Sequence, residues 1–325
     1  MRSFRFEHIS SPLNASFAIS RGARTSAESV RVWLGEDGAT GRGECLPYSR
    51  YGESIESVCE QLEAVRNALE GGMTREELQS TMTAGAARFA VDGALWDLEA
   101  KLTSVPVWER AELPEPKPLA TTMTLSIADA EVMAAAAKAT QATILKLKLG
   151  GPEDLDRVAA VRAARPGAKL IVDGNEAITP DGFDGLIDQM AELGVSLIEQ
   201  PFPVGNDEAL RTRSEAVQIC ADESVHTASD LEALAEKYDV INIKLDKAGG
   251  LTEGLRMLSE CRRLGLGVMV GCMVVGSLNM APAVLLGQAA DLVDLDGPLW
   301  LKQDIEHGLV YERGTVLPPD RALWG

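Results

Sequence analysis

Between residues 116 and 300 the chain repeats one alternation: a short apolar run rich in β-formers, then a helix-length amphipathic segment. The β-rich runs read "LATTMTL" (119–125), "TILKLKL" (143–149), "AKLIVD" (168–173), "VSLIE" (195–199), "VQICAD" (217–222), "DVINIKL" (239–245), "LGVMVGC" (266–272) and "ADLVDLD" (290–296). Between them lie helical patterns such as "PEDLDRVAAVRAA" (152–164), "DGFDGLIDQMAEL" (181–193), "SDLEALAEK" (229–237) and "LTEGLRMLSECRRLG" (251–265). Runs this apolar suit strands covered on both faces, and strands alternating with helices suit a parallel sheet. Eight strand–helix units in about 180 residues predict a parallel (β/α) barrel rather than an open doubly wound sheet. No GxGxxG follows any of these strands, and the glycines of "GLGVMVG" (265–271) enter a strand instead of a helix, which disfavours a dinucleotide fold.

The segment before the repeat has a different order. "ESVRVWLGEDGATGRGECLP" (28–47) reads as two strands around a turn, and three helical patterns follow, the clearest being "GAARFAVDGALWDLEAKL" (85–102). Strands first and helices later describe an α+β module. The proline-rich stretch "AELPEPKPLA" (111–120) separates the two patterns. The expected organisation is a module over 1–115, the barrel over 116–300 and a tail over 301–325 that returns to the first module.

A net charge of −18 with no basic stretch argues against nucleic acid and anionic membrane as partners. The start, "MRSFRFEHIS", lacks the apolar run of a signal peptide, and no apolar stretch is long enough to span a bilayer. Five scattered cysteines without CxxC spacing fit a reducing, cytoplasmic setting. The three histidines are not at metal-ligand spacing from one another, so chemistry without a histidine base is expected. The oligomeric state is left open, and a homo-oligomer is compatible with all of this.

In a parallel barrel, functional groups sit at the C-terminal ends of the strands. Here those ends carry Lys148, Asp173, Glu199, Asp222 and Lys244, spaced 22 to 26 residues apart. Three successive strands thus bring carboxylates to one rim, between strands ending in lysine. A single Asp at a strand end is most simply a helix cap. Three in a row, without His or Cys, make a cage of hard oxygen donors that suits Mg²⁺. Asn175 and Glu223, just beyond two of these ligands, either support them by hydrogen bonds or cap loops.

"ILKLKLG" (144–150) then acquires a setting. Lys146 and Lys148 point to the same side of their strand, and Lys244 lies across the mouth. Lys146 beside Lys148 is expected to favour a neutral, proton-accepting Lys148. Simple salt bridges to the neighbouring carboxylates are the structural alternative. Two lysines across a carboxylate-binding cation are the minimum apparatus for removing a proton next to a carboxylate and returning one on the other face.

These residues resemble the enolase superfamily, within it the muconate-lactonizing-enzyme subgroup. The motifs are "KLK" (146–148), "VDGN" (172–175), "IEQP" (198–201), "ADES" (221–224) and "NIKLDKAGG" (242–250), together with "GECLPYSRYGES" (43–54) and "ALWDLEAKL" (94–102). The resemblance implies a (β/α)₇β modified TIM barrel under an α+β capping domain built from both termini. It implies Asp173, Glu199 and Asp222 as Mg²⁺ ligands, and Lys148 and Lys244 as the acid/base pair for the L and D epimers respectively. Within the subgroup, Asp294 and Asp296 of "ADLVDLDGPLW" (290–300) look like the aspartate pair by which dipeptide epimerases hold a substrate α-ammonium. Arg24 of "SRGARTSAE" (20–28) occupies the place of an arginine that contacts an acidic side chain, with Arg21 and Arg50 as competitors. Thr124 resembles a threonine lining the same pocket. The resemblance therefore implies a small dipeptide substrate, with Ala-Glu first and murein peptide recycling as its setting. Two departures stand out: Val275 and Gly276 where many members carry a glutamate, and the ending "PPDRALWG" (318–325). The alternatives are another subgroup reaction, namely N-acylamino-acid racemisation, o-succinylbenzoate synthesis or cycloisomerisation, a dipeptide epimerase with a different side-chain preference, and a Schiff base on Lys146 or Lys148 as in aldolases.

Overall fold

The computed structural model describes residues 2–19 and 22–325. Three strands, β1 (Ser3–Ile19), β2 (Gly22–Glu36) and β3 (Ala39–Cys45), form an antiparallel sheet in that order. The β2–β3 connection is the two-residue turn Asp37-Gly38, with φ of 48° and 83°. Positive φ at both positions gives the twist a hairpin needs, and Asp-Gly tolerates it. The sequence reading found β2, β3 and this turn but passed over β1. Its signal was present in "SFRFEHI", where Phe4 and Phe6 alternate with charged residues and pair with Leu34 and Val32.

The inner face of this sheet, with Val30, Val32 and Leu34 buried, packs on the helix Ala86–Thr103. That helix is buried almost all round, more than its amphipathic pattern suggests, because the sheet covers one side and barrel segments the other. Close approach of β3 depends on Gly41 and Gly43: a Cβ at either would collide with helix backbone, at Ala94 O and Ala90 O respectively. Gly43→Ala is expected to cost about 1–3 kcal/mol, since backbone must move to admit the methyl. Urea unfolding checks this, and an unchanged midpoint would contradict the packing argument.

After the two-residue strand β4 (Leu119–Ala120), eight parallel strands follow: β5 (Thr122–Leu125), β6 (Ile144–Lys148), β7 (Lys169–Asp173), β8 (Val195–Glu199), β9 (Gln218–Ala221), β10 (Val240–Lys244), β11 (Gly267–Gly271) and β12 (Leu292–Asp294). They hydrogen-bond in sequence order from β5 to β12. Side chains tie the first and last strands together: Leu295 N donates to Thr121 Oγ1 at 2.8 Å, and Thr124 N to Asp296 Oδ2 at 2.7 Å. The barrel interior holds Ile171, Leu197, Cys220, Val240, Met269 and Leu292, while the helices pack outside. All eight β-rich runs are strands, so the α/β barrel expected from their alternation is the observed fold.

Two connections differ from the helical reading. Between β8 and β9 the chain makes only the 3₁₀ turn Glu208–Thr212, because Pro201, Pro203 and Gly205 interrupt it. Between β9 and β10, "SDLEALAEK" gives a 3₁₀ turn, Ala228–Asp230, and a four-residue helix, Leu231–Leu234. A segment this short gains little from helix propagation once the turn is formed. Beyond β12, β13 (Tyr311–Glu312) pairs with β14 (Thr315–Val316), and β14 pairs in turn with β4. The last residues lie on the helix Ala86–Thr103: Trp324 Nε1 donates to Gly93 O at 3.0 Å and Gly325 N to Asp97 Oδ1 at 2.8 Å. Among the described residues no helix is long and apolar enough to cross a membrane.

Candidate active site

Parallel register puts the polar strand ends side by side. Lys148 is paired with Asp173 across β6 and β7, and Asp173 with Glu199 across β7 and β8. Asp222 follows β9 directly and Lys244 ends β10. All five are buried.

The lysines meet the carboxylates directly. Lys148 Nζ lies 2.6 Å from Asp173 Oδ2, and Lys244 Nζ 2.7 Å from Asp222 Oδ2. Lys146 Nζ sits deeper, 2.6 Å from Glu199 Oε2, 2.7 Å from Asp294 Oδ2 and 3.1 Å from Asp173 Oδ2. A fourth lysine, Lys247, places Nζ 2.6 Å from Asp222 Oδ1 and also donates to the Asp222 carbonyl. Lys146, Lys148, Lys244 and Lys247 thus face Asp173, Glu199, Asp222 and Asp294. Burial of so many charges is tolerable because each has an opposite partner within hydrogen-bond distance.

The electrostatics follow from this packing. Burial works against the charge on Asp173 and Asp222, but the lysines outweigh it and hold both below the usual carboxylate range, Lys148 and Lys146 for the first and Lys244 and Lys247 for the second. Glu199 goes the other way, to about 7, through burial and the nearby Asp173 and Asp222 carboxylates, against the pull of Lys146. Burial disfavours charge on Lys146 too, yet Asp294, Glu199 and Asp173 raise it well above its ordinary value. Lys244 is raised likewise by Asp222 and Glu199. Lys146 is therefore a charged counter-ion among three carboxylates. The salt bridges weighed from the sequence are present: Lys146 and Lys148 both reach Asp173 Oδ2, with Lys146 drawn further towards Glu199 and Asp294.

The donor set is all oxygen, and burial beside the Asp173 and Asp222 carboxylates raises Glu199 even with Lys146 against it. In type and position Asp173, Glu199 and Asp222 fit a hard divalent cation. Their oxygens are turned to the lysines here, and among the described residues no three His, Cys, Asp or Glu already stand in a metal-holding group. The lysines supply the positive charge that the carboxylates require.

Several supports hold these groups. Asn175, with φ of +42°, donates its N–H to Asp173 Oδ1 at 2.9 Å and reaches Glu223 Oε1 from Nδ2 at 3.4 Å. Asn242 Nδ2 donates to Glu199 Oε1 at 2.8 Å. Gln200, the residue after Glu199, accepts from Asp222 N at 2.9 Å and Ser224 N at 3.1 Å. The roles of Lys247, Asn242 and Gln200 escaped the sequence reading although they sit inside "NIKLDKAGG" and "IEQP". The signal for Lys247 was its place three residues after Lys244, one helical turn on.

Above the strand ends lies a cavity of about 350 Å³, walled by Arg24, Tyr48 and Tyr51 from the N-terminal segment and by Lys148, Asp222 and Lys244 from the barrel. The Arg24 guanidinium stands 4.8 Å over the Tyr48 ring. Arg50 forms a two-point contact with Glu176, at 2.8 and 2.7 Å. Arg21 lies outside the described residues. Asp294, which ends β12, and Asp296, two residues on, are both buried, and neither is among the residues that wall this cavity. Asp294 is shared between Lys146 and Thr122 Oγ1, while Asp296 accepts from the Thr124 N–H. Thr124 thus holds Asp296 through both its backbone and its side chain, and Thr122 is an additional contact not singled out from the sequence. Burial and the Asp294 carboxylate push Asp296 up to about 6, so this pair favours a cationic neighbour. After β11 the cavity wall is Cys272, Met273 and Val274, with Val275 buried behind and Gly276 opening the helix Ser277–Gly287.

Fold and site together describe an enolase-type barrel with a capping module. Residues 4–110 match the mandelate racemase / muconate lactonizing enzyme N-terminal domain and residues 128–322 the enolase C-terminal domain-like family, so the chain belongs to this family of the enolase superfamily. An L-Ala-D/L-Glu epimerase of Escherichia coli (strain K12) is 42% identical over 319 residues, 97% of this chain and 99% of the relative. An N-acetyl-D-glutamate racemase of Pseudoalteromonas sp is 40% identical over 290 residues, covering 88% and 91% respectively. Among solved structures, an enolase family member from Agrobacterium tumefaciens with homology to dipeptide epimerases, with bound sodium and L-Ala-L-Glu, superposes with a TM-score of 0.98. It is 48% identical, and 100% of each chain is covered.

Proposed function

We propose that this chain is a Mg²⁺-dependent L-Ala-D/L-Glu epimerase, an isomerase that inverts the α-carbon of the glutamate residue. The observation that carries this reading is the pair Lys148 and Lys244, on opposite flanks of three buried carboxylates and both at the wall of one cavity. The Escherichia coli and Agrobacterium proteins support the choice of dipeptide. Ala-Glu dipeptides are constituents of murein, so recycling of murein peptides in the cytoplasm is the role this activity would serve.

Asp173, Glu199 and Asp222 would hold Mg²⁺, which when bound supplies positive charge to the substrate carboxylate as negative charge builds beside it. The remaining steps belong to the side chains. Lys148 as a free amine takes the α-proton from one face. Lys244 as an ammonium, a form favoured by Asp222 and Glu199, returns a proton to the opposite face. One lysine gains the proton that the other loses, so the net charge of the site is unchanged. In the reverse direction the two exchange roles. Asp294 and Asp296 would receive the substrate α-ammonium and Arg24 its side-chain carboxylate. Arg50 is engaged with Glu176, which leaves Arg24 the better placed of the two.

A second reading is racemisation of an N-acylated glutamate, favoured by the Pseudoalteromonas relative. Such a substrate shares the glutamate carboxylates but has no α-ammonium for Asp294 and Asp296. Proton NMR in D₂O with Mg²⁺ separates the two: the glutamate α-proton of L-Ala-L-Glu should exchange with solvent much faster than that of N-acetyl-L-glutamate. The reverse order would replace the dipeptide reading by the second. In the same assay Arg24→Met should raise KM for L-Ala-L-Glu about tenfold or more, the loss of one charge-assisted contact, while L-Ala-L-Met is unaffected or improved. Equal loss on both dipeptides would remove Arg24 from side-chain recognition.

A further inference from the structure

The capping helix Ala86–Thr103 meets the barrel just beyond Lys244. Arg88, Asp92 and Trp96 are four residues apart and so form one row on that helix. Arg88 is buried, and its guanidinium donates to four carbonyl oxygens: Nε to Gly249 at 3.1 Å, Nη2 to Ala248 at 2.7 Å, and Nη1 to Gln79 and Met82 at 3.4 Å each. Asp92, fully buried, accepts from Thr252 N at 3.1 Å and Thr252 Oγ1 at 2.5 Å, and Trp96 Nε1 reaches the same hydroxyl at 3.0 Å. The row therefore grips the C-terminal end of the loop formed by the short helix Leu245–Ala248 and the two glycines after it, at Ala248, Gly249 and Thr252.

That loop is shaped for the grip. Gly249 and Gly250 have φ of +82° and +123°, and a methyl group at either would run into Arg88 and Asp92 respectively. Side chains with a Cβ are excluded twice, by backbone conformation and by contact. The loop begins at Lys244 and includes Lys247, and both ammonium groups close on Asp222. On the other flank the arrangement differs. After Lys148, the Leu149 N–H donates to Asp173 O and the Gly150 and Gly151 N–H groups to Asp154, all within the barrel.

We propose that Arg88 and Asp92 are positioning residues for Lys244 and not for Lys148: the capping helix Ala86–Thr103 sets one of the two proton-transfer faces and not the other. This rests on the epimerase reading above. A guanidinium buried against carbonyls is costly unless its donors are used, and here two of its four contacts, to Ala248 and Gly249, fall on the segment that follows Lys244 while the other two anchor it in the capping module. Small displacements of an acid or base from its reacting position cost more rate than stability, which makes the effect readable by face.

The test is initial α-proton exchange in D₂O with Mg²⁺, measured separately on L-Ala-L-Glu and L-Ala-D-Glu, for Arg88→Met, Arg88→Lys and the wild type. Lys148→Ala and Lys244→Ala serve as references, and thermal unfolding is recorded for every variant. Arg88→Met is expected to slow exchange of the D epimer about tenfold or more while the L epimer stays within about twofold, with Arg88→Lys in the same direction and weaker. If the two lysine variants themselves show no opposite face preference, the two-lysine reading fails. If they do, and the Arg88 variants depress both epimers equally or neither, the positioning proposal is overturned. Loss of cooperative unfolding in both Arg88 variants would also overturn it, by assigning Arg88 to the fold rather than to one face.

Discussion

Lys148→Ala is expected to lower epimerisation of L-Ala-L-Glu by about 10²–10⁴-fold, the range for removing a positioned general base. It should also stop solvent exchange of the L-epimer α-proton, while exchange of the D epimer continues through Lys244. Lys244→Ala should show the mirror image. Both variants should still fold, for a reason visible in the ion pairs. Removing the sole partner of a buried charge costs about 3–5 kcal/mol. Asp173, however, keeps Lys146 when Lys148 is removed, and Asp222 keeps Lys247 when Lys244 is removed. Normal thermal unfolding with face-selective loss of exchange is thus the expected combination. Persistence of L-epimer exchange in Lys148→Ala at the wild-type rate would contradict the assignment.

Removal of divalent cations by a chelator is expected to abolish turnover, and Mg²⁺ to restore it. The pH dependence of cation binding follows from Glu199. Because its folded-state value is raised to about 7, Glu199 carries a proton below that pH in the cation-free protein, and a cation must displace it. Affinity should therefore be highest above about pH 7 and fall by about tenfold per pH unit below it while one proton is displaced. Asp173 and Asp222, held low by their lysines, stay ionised through this range and add no further dependence. Calorimetric titration of Mg²⁺ at pH 6 and pH 8 measures this without turnover. The stabilisation by saturating cation, about 2.7 kcal/mol at a hundredfold excess over Kd, should likewise appear at lower Mg²⁺ concentrations at pH 8. A pH-independent affinity would mean that Glu199 is not among the ligands.

The strand ends show why so much of this site was legible in the chain. In a parallel barrel every strand delivers its last residue to the same rim, so Lys148, Asp173, Glu199, Asp222 and Lys244 could be gathered from spacing alone. The same logic reached Asp294 and Asp296 at the last strand. Helix content was less legible where segments are short, as in 201–217 and 229–237, because a turn or two of helix leaves no periodic signal. Strand β1 was missed although its alternation was present.

The chemical groups at the mouth can be read from the chain, since the α/β repeat fixes on which side of the barrel each strand ends. How those groups are partnered depends on the folded arrangement. Lys146 sits among Glu199, Asp294 and Asp173, Lys247 joins Lys244 on Asp222, and Arg50 is held by Glu176 while Arg24 stands over Tyr48. The grip of Arg88 and Asp92 on the loop after Lys244 spans about 160 positions in the chain. No local pattern encodes such a contact, because it arises only when two separately folded surfaces meet.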